Sequence, residues 1–184
     1  MYEVEYKVEI TKKERAELIT LFKKSSFVDE GINLQNDFYV EVKNSAFGGF
    51  DFKRYRTEGK KALYTQKIWE KINGINTRKE TEKEISVSEL VSEIDRYPDC
   101  LKISKERKSF SGKYKEQEIH IDMDSVKFSH SPEVRYFIEA EVLTDEKEKV
   151  EKLRELVAAF LKESLGRNEI IESPGMFDMA FYKK

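Results

Sequence analysis

Glu3, Glu5 and Lys7 occupy alternate positions of one run, YEVEYKVE, with Val4, Tyr6 and Val8 interleaved. Successive side chains of an extended chain point to opposite faces, so two carboxylates and an ammonium share one face and apolar residues take the other. The arrangement recurs. Arg54 and Arg56 share a face, as do Thr65 and Lys67, Lys105 and Arg107, and Glu139 and Glu141. His120, Asp122 and Asp124 alternate with Ile119, Ile121 and Met123, while Arg78, Glu80, Glu82 and Glu84 form another run of one parity. Lys7, Arg54, Arg56, Lys67, Arg78, Lys105 and Arg107 can together face a polyanion, the arginines with planar forks suited to phosphate oxygens. Glu3, Glu5, Asp124, Glu139 and Glu141 are hard oxygen donors appropriate for Mg²⁺ or Mn²⁺. Cations for phosphate combined with carboxylates for a divalent metal are the inventory of phosphoryl transfer.

A sheet with one wet face would also alternate, and for YEVEYKVE alone a solvated polar face suffices. Repetition over seven strands, often with a single sign of charge on each, points instead to a shared interior. The apolar faces then lie outside and need cover. Charge inside a barrel is costly unless paired, hydrated or neutralised by a ligand, so such an interior implies a site.

The elements that must position these residues follow from periodicity. Strands are expected at Tyr2–Glu9, Asp37–Val42, Phe50–Arg56, Ala62–Trp69, Arg78–Val87, Cys100–Arg107, Lys115–Asp124 and Val134–Leu143. Gly48-Gly49 and Glu58-Gly59 mark turns. Thr11 can cap a helix carrying Leu18, Ile19, Leu21 and Phe22. A short helix near Ser88 stops before Pro98, and a long amphipathic one runs from Thr144 to Leu165 with Gly166 as its C-terminal cap. The expected fold class is α+β: an eight-stranded closed antiparallel β-barrel, or tunnel, with helices packed on the outside. The tail from Arg167 to Lys184 shows no readable pattern.

The 184 residues suffice for one domain, expected to span 1–184, and no linker or repeat divides them. Lys+Arg at 34 nearly balance Asp+Glu at 36, which gives no reason to expect nucleic acid as a partner. Neither a signal segment nor an apolar run of the roughly 20 residues needed to span a bilayer is visible. With Cys100 alone, no internal disulfide can form, and a cytoplasmic protein without a membrane partner, monomeric or homodimeric, is expected. His120 and His130 are too few for a zinc site, and His120 can simply line the interior. Asp122-Met123-Asp124 lacks the glycine of a calcium loop, and Trp69 is expected in the core rather than at a tunnel mouth.

The run Glu3-Val4-Glu5-Tyr6-Lys7 is an ExExK, and it resembles the signature of the CYTH, or triphosphate tunnel metalloenzyme, superfamily. Its companions follow in the family's order: Arg54-Tyr55-Arg56 as RxR, Thr65-Gln66-Lys67 as TxK, Arg78 to Glu82 as RxExE, Lys105-Glu106-Arg107 as KxR, Asp124-Ser125-Val126 as DxV and Glu139-Ala140-Glu141 as ExE. Glu82/Glu84 fits the RxExE register as well as Glu80/Glu82 does. The resemblance covers Glu3 to about Leu165 and implies an eight-stranded tunnel. It implies that Glu3, Glu5, Glu139 and Glu141, with Asp124 close by, hold divalent metal. Lys7, Arg54, Arg56, Lys67, Lys105 and Arg107, with Arg78, would grip a small-molecule triphosphate, and Glu5 and Lys7 would stand at the reacting centre. The superfamily includes inorganic and thiamine triphosphatases and class IV adenylyl cyclases. Hydrolysis of a triphosphate is the expected reaction, with cyclisation of ATP to cyclic AMP and pyrophosphate as the alternative and a non-catalytic polyphosphate-binding module as a third. The His-Phe pair that class IV cyclases carry ahead of ExExK has no counterpart before Glu3.

Overall fold

The computed structural model describes residues 2–46, 49–72 and 75–181, with the side chains of 70–78 outside the description. Eight strands form one antiparallel sheet: β1 (Tyr2–Ile10), β2 (Val28–Asn44), β3 (Phe50–Glu58), β4 (Lys61–Ile72), β5 (Ile75–Ile85), β6 (Leu101–Tyr114), β7 (Gln117–Phe128) and β8 (Val134–Thr144). Their order is β1-β8-β7-β6-β2-β3-β4-β5, so two meanders, β2 to β5 and β6 to β8, meet at the β2/β6 ladder, and β1 pairs with β8. The sheet curls until seven of its strands line one cavity. Among the described residues no ladder joins the terminal strands β1 and β5. Part of the free edge of β1 is covered: Val8 bridges to Glu172, and the Ser173 N–H donates to the Lys7 carbonyl at 2.8 Å.

Helices α1 (Lys12–Lys24) and α3 (Val150–Leu165) cover the outer face of β1, β8 and β7. Leu18 and Phe22 of α1 and Leu153, Val157, Phe160 and Leu161 of α3 pack there with Val4, Val8, Ile121, Ile138 and Ala140. Burying such side chains stabilises by about 1.5–3 kcal/mol each, which explains why apolar faces point out of the barrel and under helices. Thr11 caps α1 as expected: its hydroxyl accepts from the Glu14 N–H at 3.1 Å, and the Glu14 carboxylate accepts from the Thr11 N–H at 2.7 Å. Helix α2 (Val87–Asp95) starts earlier than expected because Ser86, not Ser88, accepts from the Glu89 N–H. Helix α3 starts later than Thr144, because Thr144 is the last residue of β8, paired with Tyr2, and a 3₁₀ turn at Lys147–Lys149 intervenes. Gly166 takes the left-handed C-cap conformation, φ 62°.

Three elements differ from expectation in a way that matters for the site. Strand β2 begins at Val28 rather than Asp37; Gly31, φ 96°, sits at a bulge, and Val28, Ile32 and Leu34 are exposed, so the segment lacks the pattern of a half-buried strand. Strand β6 runs on to Tyr114 through Ser109, Ser111 and Gly112, and β7 reaches Phe128. Their turn, Lys115-Glu116, has φ of 47° and 65° without glycine. The tail contributes α4 (Met176–Phe181), whose Met176, Phe177, Met179 and Ala180 are buried against the sheet's inner face. Among the described residues no helix is long and apolar enough to cross a membrane.

Candidate active site

The inner face changes character along each strand. At one end Tyr39, Phe50, Phe52, Leu101, Ile103, Val126, Phe128 and Phe137 form an apolar rim, and α4 plugs it, with the Phe177 ring 4.7 Å from Phe52 and 5.1 Å from Tyr39. Two residues further along β2, β3, β6, β7 and β8 the same parity carries Asp37, Arg54, Lys105, Asp124 and Glu139. The switch from apolar to charged follows the same strand faces across the sheet, and the charged band surrounds a cavity of about 290 Å³.

Six cations line that cavity: Lys7 from β1, Arg54 and Arg56 from β3, Lys67 from β4, and Lys105 and Arg107 from β6. Glu3 and Glu5 of β1 and Glu139 and Glu141 of β8 line it as well. The β1/β8 register sets Glu5 opposite Glu141 and Lys7 opposite Glu139. The Arg78 backbone pairs with Trp69 on β4, and its side chain lies outside the described residues. Asp124 is buried, and both its oxygens accept from Arg107 at 2.8 Å, so it stands behind the cavity wall rather than in it. His120 lies beside Asp122 beyond Arg107, and Trp69 packs near Gly49, away from the cavity lining.

The cations are held in two ways. Buried aspartates fix some from behind. Asp37 accepts from Arg56 through both oxygens, at 2.6 and 3.0 Å, and pairs with Lys105 at 3.2 Å. Arg107 is clamped by Asp124 and pairs with Asp122 at 2.5 Å. Burial opposes ionisation of Asp37, yet Lys105 and Arg56 outweigh it and hold the carboxyl below the usual carboxylate range. Burial, reinforced by Arg56 and Arg107, lowers Lys105 to about 8 despite Asp37. Arg54 and Lys67 are held from the front by half-exposed acids of β5: Arg54 lies 3.3 Å from Glu82, and Lys67 lies 2.7 Å from Glu80.

The carboxylates gather into pairs. Glu5 lies beside Glu139, and Glu141 beside Glu3. Burial first, then the neighbouring carboxylate, raises Glu5 and Glu141 to about 7 each. Glu139 goes the other way: burial resists its charge, but Lys7 at 2.6 Å and Arg107 keep it ionised. Among the described residues no three acidic, imidazole or thiol groups converge tightly enough to hold a metal ion as they stand. The donor set still fits a hard divalent cation, since four carboxyls crowd one wall and burial with mutual repulsion raises two of them to about 7.

Asp37 escaped the sequence reading, as did the tail residues Gly175, Met176, Phe177 and Asp178 that complete the lining. Asp37 shares a strand face with Tyr39, and Lys43, the basic residue of that parity on the same strand, lies past a bulge between Val40 and Lys43, so the charge of Asp37 is answered from β3 and β6.

Comparison with known proteins agrees with this geometry. No curated protein matches the chain. Among solved structures, the PH1819 protein of Pyrococcus horikoshii OT3 superposes with a TM-score of 0.67 at 24% identity, covering 100% of both chains. The candidate adenylate cyclase from Vibrio parahaemolyticus gives 0.60 at 16% identity over 97% of each chain. The candidate adenylyl cyclase HpAC1 from Hippeastrum, described as having a dominant triphosphatase activity, gives 0.59 at 18% identity over 100% of this chain and 97% of its own. At these identities the likeness establishes the shared fold. The CYTH domain model matches residues 1–170, nearly the whole chain, and the protein belongs to the CYTH domain family.

Proposed function

We propose that the chain, acting as one domain over 1–184, is a divalent-cation-dependent triphosphatase that hydrolyses a small-molecule triphosphate in the central cavity. The observation that carries this reading is the convergence of six cations from four strands opposite the paired carboxylates of β1 and β8. Three guanidinium forks and three ammoniums gathered on one cavity offer partners to each phosphate of a short chain.

Arg56, Lys105 and Arg107 form the fixed part of the phosphate grip, because buried aspartates hold them before any ligand arrives. Arg54 and Lys67 form the exchangeable part: phosphate oxygens replace Glu80 and Glu82 as their partners. Arg78 adds to the grip from β5, two positions before Glu80. Glu3, Glu5, Glu139 and Glu141 hold Mg²⁺ or Mn²⁺, and Asp124 serves them through Arg107. When bound, the cation supplies positive charge to phosphate oxygens and acidifies water. In this reading Lys7, which pairs with Glu139 at 2.6 Å, holds a non-bridging oxygen of the phosphoryl group under attack, and Glu5 accepts a proton from the attacking water.

The test is product identification with tripolyphosphate, thiamine triphosphate and ATP in the presence of Mg²⁺ or Mn²⁺. Orthophosphate release that is lost in Glu3→Gln/Glu5→Gln supports the hydrolase. Cyclic AMP with pyrophosphate from ATP would replace this reading with a cyclase, and tight binding without turnover would leave a polyphosphate receptor.

A further inference from the structure

Among the three lysines that line the central cavity, Lys105 is the one whose charge the sheet answers least. In register, Lys7 stands opposite Glu139 and Lys67 opposite Glu80, and each ammonium closes on that acid, at 2.6 and 2.7 Å. Lys105 stands between Gln35 of β2 and Val126 of β7. Gln35 carries no charge and turns its amide to Glu58 at 3.2 Å, while Val126 is apolar and fully buried. Among the described residues the acid that pairs with Lys105 is Asp37, which lies diagonally across the β2/β6 ladder at 3.2 Å. Asp37 already accepts from Arg56 through both oxygens, at 2.6 and 3.0 Å, so Lys105 shares a counterion that is spent on a guanidinium.

The nitrogen is therefore desolvated, flanked by cations and poorly neutralised, the combination that makes a lysine available as a free amine near neutrality. Burial with Arg56 and Arg107 lowers Lys105 to about 8, whereas Glu139 and Glu5 raise Lys7 against its own burial. The Lys105 side chain is 4% exposed, and the space it meets is the central cavity. Arg54, Arg56, Arg107 and Lys7 line the same space, and their charge-assisted hydrogen bonds suit a phosphate monoester as well as a phosphate chain. A cavity of about 290 Å³ stands at the lower limit of small-molecule sites, roughly 300–1,000 Å³, which suits a short molecule.

We propose that Lys105 is a covalent modification site, at which small aldehydes bearing a phosphate monoester condense reversibly to an imine and block the cavity. The inference rests on the phosphate-gripping reading of that cavity. The ammonium first yields a proton to water. Its lone pair then attacks the carbonyl carbon, the carbonyl oxygen takes up two protons and leaves as water, and a C=N bond replaces C=O with nothing oxidised or reduced. The arginines contribute by holding the phosphate, which concentrates the carbonyl beside the amine.

The experiment incubates the unaltered protein with glyceraldehyde 3-phosphate near neutral pH, reduces the imine with cyanoborohydride and maps the modified lysines by peptide mass spectrometry. Lys105 should be labelled about tenfold faster than Lys7, Lys67 or any surface lysine, and about tenfold more slowly by glyceraldehyde, which lacks the phosphate. Tripolyphosphate should protect it. Lys105→Met should lose the fast label and keep the slow labelling of the other lysines; if that variant does not fold, the map of the unaltered protein decides alone. Labelling that falls first on Lys7 or Lys67, that spreads over surface lysines, or that proceeds equally with and without the phosphate overturns the modification site. If tripolyphosphate binds by calorimetry yet leaves Lys105 labelling unchanged, the modification site fails and the triphosphate cavity stands. If tripolyphosphate does not bind the unaltered protein, the triphosphate reading fails and this inference with it.

Discussion

Asp37 touches neither solvent nor the cavity directly, yet it sets the position of two of the six cations around it. Removing its charge leaves Arg56 and Lys105 facing each other without a counterion, and breaking one partner of a buried pair typically destabilises by about 3–5 kcal/mol. Asp37→Asn should therefore lower the denaturant midpoint by an amount equivalent to about 3 kcal/mol and weaken tripolyphosphate binding; an unchanged midpoint would show that the cations are held by something else. Lys105 supplies a pH signature. Its pKa of about 8 lies below the usual lysine value, so the ammonium is lost as pH rises through 8 and the grip weakens above that point. Tripolyphosphate affinity should fall between pH 7 and 9.5 in the unaltered protein relative to Lys105→Met, measured by calorimetry; parallel profiles would remove Lys105 from the grip. At this scale the sequence was largely legible. Charged residues at alternate positions declare a shared face whatever the strand's neighbours, whereas Asp37 and Gln35 are single polar residues whose meaning comes only from the strands beside them. The same holds for Asp124, read as a metal-proximal acid from its motif but placed by the β6/β7 register against Arg107.

Strand β5 sits at the sheet's edge and brings Glu80 and Glu82 to the front of Arg54 and Lys67, where in the proposed reading they occupy the places of phosphate oxygens. Both acids are more than two-fifths exposed, so each pair is worth only about 0.2–1 kcal/mol. If they compete with the ligand, Glu80→Gln/Glu82→Gln should raise tripolyphosphate affinity by about threefold, and the gain should shrink as salt screens the pairs; a fall in affinity would mean that these acids help to bind the ligand, for instance through a cation. The elements legible from sequence were those with one buried apolar face: β1, β3, β8, α1 and the body of α3. The first half of β2 was not, because Val28, Ile32 and Leu34 face solvent and a bulge at Gly31 breaks the alternation. Helix α4 was hidden for another reason. Its six residues are too few to show a helical period, and their burial depends on an apolar rim assembled from five strands. That rim makes α4 testable. Phe177→Ala removes a ring packed on Tyr39, Phe50 and Phe52 and should destabilise the docked tail by about 3 kcal/mol, visible as faster amide exchange over 174–181; unchanged exchange there would show that the ring does not anchor the plug.

The whole molecule is a barrel in which stability and the proposed chemistry pull against each other. An apolar interior would hold the sheet together at less expense than walls of like charge, and in the proposed function each wall answers a different part of a metal–triphosphate complex. The carboxylate wall carries a measurable consequence. Glu5 and Glu141 have folded-state pKa values of about 7, above the ordinary 4.5. The folded state therefore binds more protons than the unfolded state between those limits, so their contribution is full below pH 4.5 and is lost as pH rises through 7. At pH 8 Glu5 and Glu141 are ionised beside Glu139, whose charge Lys7 already matches. A divalent cation that binds only the folded wall supplies the missing charge, and the screening expected of partly exposed groups limits the effect to about 2 kcal/mol, or roughly 5 °C for a chain of this length. Mn²⁺ or Mg²⁺ should accordingly raise the melting temperature more at pH 8 than at pH 5, where protons already occupy the wall. Glu3→Gln/Glu5→Gln should melt higher than the unaltered protein at pH 8 without metal and respond little to its addition. A metal-induced shift of equal size in that variant, or one independent of pH, would place the cation elsewhere in the molecule and leave the β1/β8 carboxylates without their proposed role.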